Sequence, residues 1–131
     1  MRDSYHNISA VTAIPPQVLT ASAVDSSVID LLGFNSVTFV VEAGTITDGS
    51  YAISVKEGAA ADGSDGTTVA ASDLLGTLPN FAASDDNKTK RFGYAGSQRY
   101  LKITLTPSGA TTGGHFAAVA VLGSPLSAPV A

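Results

Sequence analysis

Asp62 and Asp65 stand three apart in the glycine-rich stretch Asp62-Gly63-Ser64-Asp65-Gly66, the spacing in this chain best suited to turning two carboxylates onto a hard cation such as calcium. Asp85-Asp86 would add ligands if the two loops meet. An EF-hand loop carries acids at alternate positions and a closing Glu, and both are missing, so calcium is a minor candidate beside ordinary Asx turns. The two histidines, His6 and His115, form no H-x-x-x-H pair. His115 opens an apolar run and reads as a surface histidine at a strand end. No Gly-x-Ser-x-Gly elbow nominates a nucleophile. Gly109 and Gly113-Gly114 lack the Gly-Lys-Ser/Thr ending of a phosphate loop and read as a hairpin tip. Without cysteine there is no thiol chemistry and no zinc–thiolate site. No catalytic residue and no cofactor is assigned, and the expectation is a protein that is not an enzyme. For a sugar-binding surface the aromatic supply is Tyr5, Tyr51, Tyr94 and Tyr100, with Tyr94 and Tyr100 able to flank one patch beside Arg91 and Arg99.

Such side chains need a scaffold, and 131 residues at 44% hydrophobic content suffice for one domain with a real core. Ala, Gly, Ser and Thr make up 61 residues, a composition suited to closely packed sheets and tight turns. The net charge of −4 argues against nucleic-acid binding by counterion release. Its distribution is uneven. Residues 1–87 hold all 11 acids with only Arg2 and Lys56, a balance of −9. Residues 88–131 hold Lys88, Lys90, Arg91, Arg99 and Lys102 without an acid, a balance of +5. Acidic loops either pack beside the basic strands of one subunit or match them across subunits. No apolar stretch approaches the ~20 residues of a membrane helix. The N-terminal residues have no apolar core of a signal peptide, so neither membrane nor secretory sorting is expected, and the Asn7-Ile8-Ser9 sequon carries no weight.

The pattern predicts an all-β chain: a single antiparallel β-sandwich of Greek-key or jelly-roll type over 18–123, with about seven or eight strands. Extended arms are expected at 1–17, which contains Pro15-Pro16, and at 124–131, which contains Pro125 and Pro129. Strands are expected at 27–32, 36–46, 51–57, 67–71, 89–94, 99–106 and 115–122, with one helical turn or an irregular crossing at 72–76. Val37, Phe39 and Val41 alternate with Thr38, Val40 and Glu42, and Tyr51, Ile53 and Val55 alternate with Ala52, Ser54 and Lys56. Asp48-Gly49 between those two runs predicts a type I′ hairpin. The run 115–122 is apolar on both faces, which makes Val119 and Val121 candidate subunit contacts. The arm residues Pro15, Pro16, Pro125 and Pro129 are further interface candidates, with the five basic residues of 88–102.

The segments Phe92-Gly93-Tyr94-Ala95-Gly96-Ser97-Gln98-Arg99-Tyr100 and Leu122-Gly123-Ser124-Pro125, with Val28–Phe34 and the strand from Ser36, resemble small proteins encoded beside the major capsid protein of tailed bacteriophages. The resemblance spans 28–130. It implies a decoration, or cement, protein made in the host cytoplasm and placed on the capsid exterior, where it stabilises the lattice by bridging capsomers. The partners it implies are the major capsid protein and other copies of the chain, with a trimer favoured. Some such proteins carry a basic or His-containing pair after Leu-Gly-x-Pro, where this chain has Leu126-Ser127. The alternative is a head-fibre, tail or receptor-binding module that recognises a host surface glycan.

Overall fold

The computed structural model describes residues 3–127 and 129–130. Period-two alternation builds its principal strands. In β4 (Phe34–Ile46), Val37, Phe39 and Val41 are buried while Thr38, Val40 and Glu42 face out. In β5 (Ser50–Gly58), Tyr51, Ile53 and Val55 are buried, and in β10 (Tyr100–Ser108), Leu101, Ile103 and Leu105 are. The remaining strands are β1 (Ser9–Leu19), β2 (Val24–Asp25), β3 (Ile29–Asp30), β6 (Thr67–Thr68), β7 (Leu74–Leu75), β8 (Asn80–Phe81), β9 (Thr89–Tyr94) and β11 (Gly114–Pro125). Three single 3₁₀ turns interrupt them, and no α-helix occurs among the described residues.

The strands form two antiparallel sheets, one ordered β1-β11-β4-β9-β7 and the other β2-β10-β5-β6, with β3 also on β10 and β8 also on β5. The pairings are nested. β5 pairs with β6 and β8, β4 with β9, β10 with β2 and β3, and β1 with β11. This is one long two-stranded ribbon rolled into a sandwich, the jelly-roll topology. Counting the broken strands β2/β3 and β6/β8 once each, and leaving out the short edge strand β7, gives eight strands. Phe39 stacks at 5.2 Å on Phe92, its register partner in the same sheet, and the layers close on Phe116, which meets Tyr51 at 4.5 Å and Phe81 at 5.3 Å.

The predicted hairpin at Asp48-Gly49 is not formed. β4 and β5 lie in different sheets, so the turn is an arch between layers. Gly49 does take the positive φ, +85°, that a dipeptide of this type supplies. The dipeptide specifies a reversal, not a partner. Both strands must present their apolar faces to one core, and opposite layers achieve this.

The segment read as an N-terminal arm is also partly sheet. Residues 9–17 belong to β1, paired with β11 from Ser9↔Leu122 to Leu19↔Gly114. Pro15 and Pro16 fall in the register shift between Ile14 and Gln17, on an edge strand where a missing N–H is tolerated. At the other end β11 runs through Gly123 to Pro125, which pairs with Phe34. Leu126 N–H then donates to Gly33 O at 2.8 Å and Val130 N–H to His6 O at 2.8 Å. Four residues of the two arms, Met1, Arg2, Ala128 and Ala131, lie outside the described residues. The strand expected at 27–32 is broken instead. Only Ile29–Asp30 of it is strand, and ahead of it, between β2 and β3, the buried Ser26 accepts Ile103 N–H on its hydroxyl at 2.9 Å.

Candidate interaction surfaces

Four of the five basic residues in 88–102 meet acids of the same chain. Lys88 and Lys90 lie 3.6 and 3.3 Å from Asp85, and Lys102 lies 3.2 Å from Asp25. Arg99 grips Asp30 with two parallel bonds of 2.8 and 2.9 Å. Asp85 is held below the usual carboxylate range first by the Ala82 amide and then by Lys90, and Asp30 first by Arg99. Four of the five positive charges of 88–102 are therefore matched within one subunit, by the three acids Asp25, Asp30 and Asp85. Arg91 is the exception, with no ion pair among the described residues.

Asp62 and Asp65 turn onto backbone. Asp65 accepts the amides of Ala59 and Ala60 at 2.9 and 3.2 Å, and Asp62 accepts Ser64 N–H at 3.0 Å. These amides lower both carboxyl pKa values. Asp86 accepts Ile46 N–H. The geometry is that of Asx-type loop closure, and no group of three metal-ligating side chains gathers among the described residues. His6 sits 2.6 Å from Asp3, and the exposed His115 sits beside Thr45 O.

The Gly93-Tyr94-x-Gly96-x-x-Arg99-Tyr100 segment has a structural reading. Tyr94, only 3% exposed, reaches from β9 across the layers and donates to Glu57 of β5 at 2.6 Å, while Gln98 N–H donates to its hydroxyl at 3.1 Å. Burial and then Glu57 push its pKa up to about 12. Gly96 is required because a Cβ there would collide with the Tyr94 hydroxyl. Gly93 leaves room for Leu75 to lie across the strand. Tyr94 is thus a bolt between the sheets and not a stacking platform for sugar. Tyr100 lies half-buried with the Arg99 guanidinium over its ring at 4.9 Å, so the tyrosine–arginine patch is not assembled.

The same end of the sandwich presents two leucines that the sequence did not single out. Leu32 and Leu126 are 66% and 69% exposed and line one cleft of about 360 Å³ with Phe34 and Arg99. Their backbones are pinned, Leu126 N–H to Gly33 O and Leu32 N–H to the Asp30 carboxylate at 3.0 Å, the carboxylate that also holds Arg99. Leu32-Gly33 and Leu126-Ser127 were both legible as sequence, but the exposure of their leucines was not.

The outer face of the β1-β11-β4-β9-β7 sheet is the second surface. Registered rows run Thr12–Val119–Val40–Arg91 and Ala10–Val121–Thr38–Gly93–Leu75, followed by Ala117–Glu42–Thr89. Val119 is 37% exposed and Val121 half-buried, so no sheet or loop among the described residues packs over the outer side of β11. Pro16 lines the groove at the β1 margin of this face with Val18, Glu42, His115 and Ala117, and Pro15 is exposed next to it. Pro125 ends β11 opposite Phe34, and Pro129 lies in the segment that follows.

No family model and no curated protein sequence matches the chain. Among solved structures it is similar to the SPBc2 prophage-derived protein YomS, with 14% identity, a TM-score of 0.53, and coverage of 90% of this chain and 94% of that one. A Bacillus endospore appendage protein from disulfide-linked pili aligns at 13% identity and TM-score 0.48 over 89% and 88% of the two chains. The infectious bursal disease virus VP2 subviral particle protein aligns at 13% and 0.39 over 88% of this chain and 32% of its own. At these identities the likeness to YomS establishes a shared two-sheet fold.

Proposed function

We propose that this chain is a structural virion protein that decorates and stabilises the outer surface of a tailed-phage capsid, with the major capsid protein as its principal partner. The observation that carries the reading is the rigid tip of Leu32 and Leu126. Two large apolar side chains are held in solvent by backbone hydrogen bonds and the Arg99–Asp30 clamp. Exposed leucines on a preorganised loop bind with little ordering cost, and a lattice multiplies many such weak contacts. The shared fold with a prophage-derived protein and the resemblance of 28–130 to capsid-adjacent phage proteins support the same reading. A ligand that binds only the mature lattice stabilises it by mass action.

The test compares particles with and without the protein under heat and osmotic shock, then restores it as wild type or as a Leu32→Ser/Leu126→Ser variant. Wild type is expected to rebind and raise the temperature of particle rupture, and the variant to remain unbound. Equal resistance of bare and decorated particles overturns the reading. Intact particles that lose only adsorption to cells transfer the role to host-glycan recognition.

A further inference from the structure

We infer that the outer face of the β1-β11-β4-β9-β7 sheet is the contact between two copies of this chain, packed face to face about a two-fold axis. The two outer faces of the sandwich differ. On the β10–β5 side the outward residues are Ala52, Ser54 and Lys56 opposite Thr106, Thr104 and Lys102, a mostly polar surface. On the β11–β4 side they are Ala117, Val119 and Val121 opposite Glu42, Val40 and Thr38, continued by Ala10 and Thr12 on one flank and Leu75 on the other. An antiparallel sheet with one covered face ordinarily alternates apolar-in and polar-out. β11 departs from that pattern over the length where its outer side is uncovered.

Charge identifies the occupant as a second copy. His115 aside, this face holds two ionisable side chains, Glu42 on β4 and Arg91 on β9, and neither makes an ion pair among the described residues. Other basic residues of 88–102 are satisfied within the chain. One acid and one base, set off-centre on an apolar patch, make the patch complementary to itself. A two-fold operation that lays the valines together brings Arg91 of each copy to Glu42 of the other, and isologous contacts are the commonest way in which soluble chains pair. Five strands about 4.8 Å apart, with roughly eight residues of β11 between them, offer on the order of 600 Å² of planar face. That is close to the roughly 800 Å² per partner of a standard interface. A pair of this kind differs from the three-fold arrangement favoured by resemblance, and it does not depend on the virion reading, since the purified chain should form it.

Sedimentation velocity on the purified protein is the test. The wild type is expected at twice the 13.2 kDa of one chain. Val119→Lys, at a position already partly exposed, is expected to run as a folded monomer with an unchanged circular dichroism spectrum. Glu42→Arg and Arg91→Glu are each expected to weaken the pair on the order of a hundredfold, and the double reversal to restore it. Lys56→Glu, on the opposite face, should leave the pair intact. A wild-type monomer or trimer overturns the proposal, as does a dimer that survives Val119→Lys or a double reversal that stays monomeric. If Glu42 and Arg91 matter only within one chain, the single reversals change melting and not mass, which also overturns it.

Discussion

The carboxylate of Asp48 accepts the backbone N–H of Gly113 at 2.9 Å, and its second oxygen and the first also take Thr112 and Thr111, both at 3.1 Å. Asp48 lies in the arch from β4 to β5 and Gly113 in the arch from β10 to β11, so one side chain ties together two places where the ribbon changes layer. Gly113 holds φ at +94° with Leu19 O against the position a Cβ would occupy, which leaves no room for a side chain. The three amides, Gly113 foremost, hold the Asp48 carboxyl below its ordinary pKa.

A carboxyl whose folded pKa is depressed adds stability above its unfolded value and loses it as pH falls through the folded one. The contribution of Asp48 is therefore complete at neutral pH and fades below about pH 4. Asp48→Asn, which keeps one acceptor oxygen, should melt below wild type, and Asp48→Ala lower still. The gap between wild type and Asp48→Asn should close in acid, a trend that thermal melts from pH 7 down to pH 2 would read directly.

Ser26→Ala should destabilise the fold by about 1–3 kcal/mol. The hydroxyl accepts Ile103 N–H at 2.9 Å and donates to Ser27 O at 2.7 Å, at a position only 5% exposed. The alanine leaves a buried amide of a central strand without its acceptor. Urea denaturation checks the value. Hydrogen exchange at Ile103 should speed up more than at Leu105, whose strand neighbours are unchanged.

These two residues mark where local sequence stops being informative. The alternation in 36–46 and 51–57 identified the strands and their inward faces because burial on one side of a pleat leaves a period of two. Asp48-Gly49 identified a reversal, yet whether a reversal closes a hairpin or an arch depends on partners such as β9 and β10, more than 40 residues further along the chain. Pro15-Pro16 looked incompatible with a sheet, but an edge strand with a register shift accommodates both. Val119 and Val121 were legible as outward apolar residues from the run 115–122 alone. Glu42 stood out only once β9 placed Arg91 diagonally beside it with no bond between them.

Leu32→Ser and Leu126→Ser should leave the isolated protein almost as stable as wild type, within about 0.5 kcal/mol each, because both side chains are largely in solvent. Phe39→Ala, at a fully buried position stacked on Phe92, should cost about 3–5 kcal/mol. Calorimetry of the three variants separates contact residues from core residues. A tip variant that melts like the core variant would mean that the leucines hold the fold instead of presenting a surface.

Tyr94→Phe removes a hydrogen bond to the Glu57 carboxylate and the acceptor of Gln98 N–H, at a cost of about 2 kcal/mol. Gly96→Ala should cost at least as much, because its methyl group occupies the place of the Tyr94 hydroxyl. Combining it with Tyr94→Phe should give little relief, since the ring carbons Cζ and Cε1 that phenylalanine keeps also crowd that position. The alkaline limb gives an independent reading. Burial, then Glu57, raises the Tyr94 phenol to about 12 in the folded protein, whereas an unfolded tyrosine ionises near 10. A group raised on folding contributes fully below its unfolded pKa and loses that contribution as pH rises through the folded one. Stability should therefore fall between about pH 10 and pH 12, and Tyr94→Phe should flatten that fall. Phenolate absorbance followed alongside unfolding should show Tyr51 and Tyr94 titrating late in wild type, both raised first by burial, and one late phenol fewer in the variant.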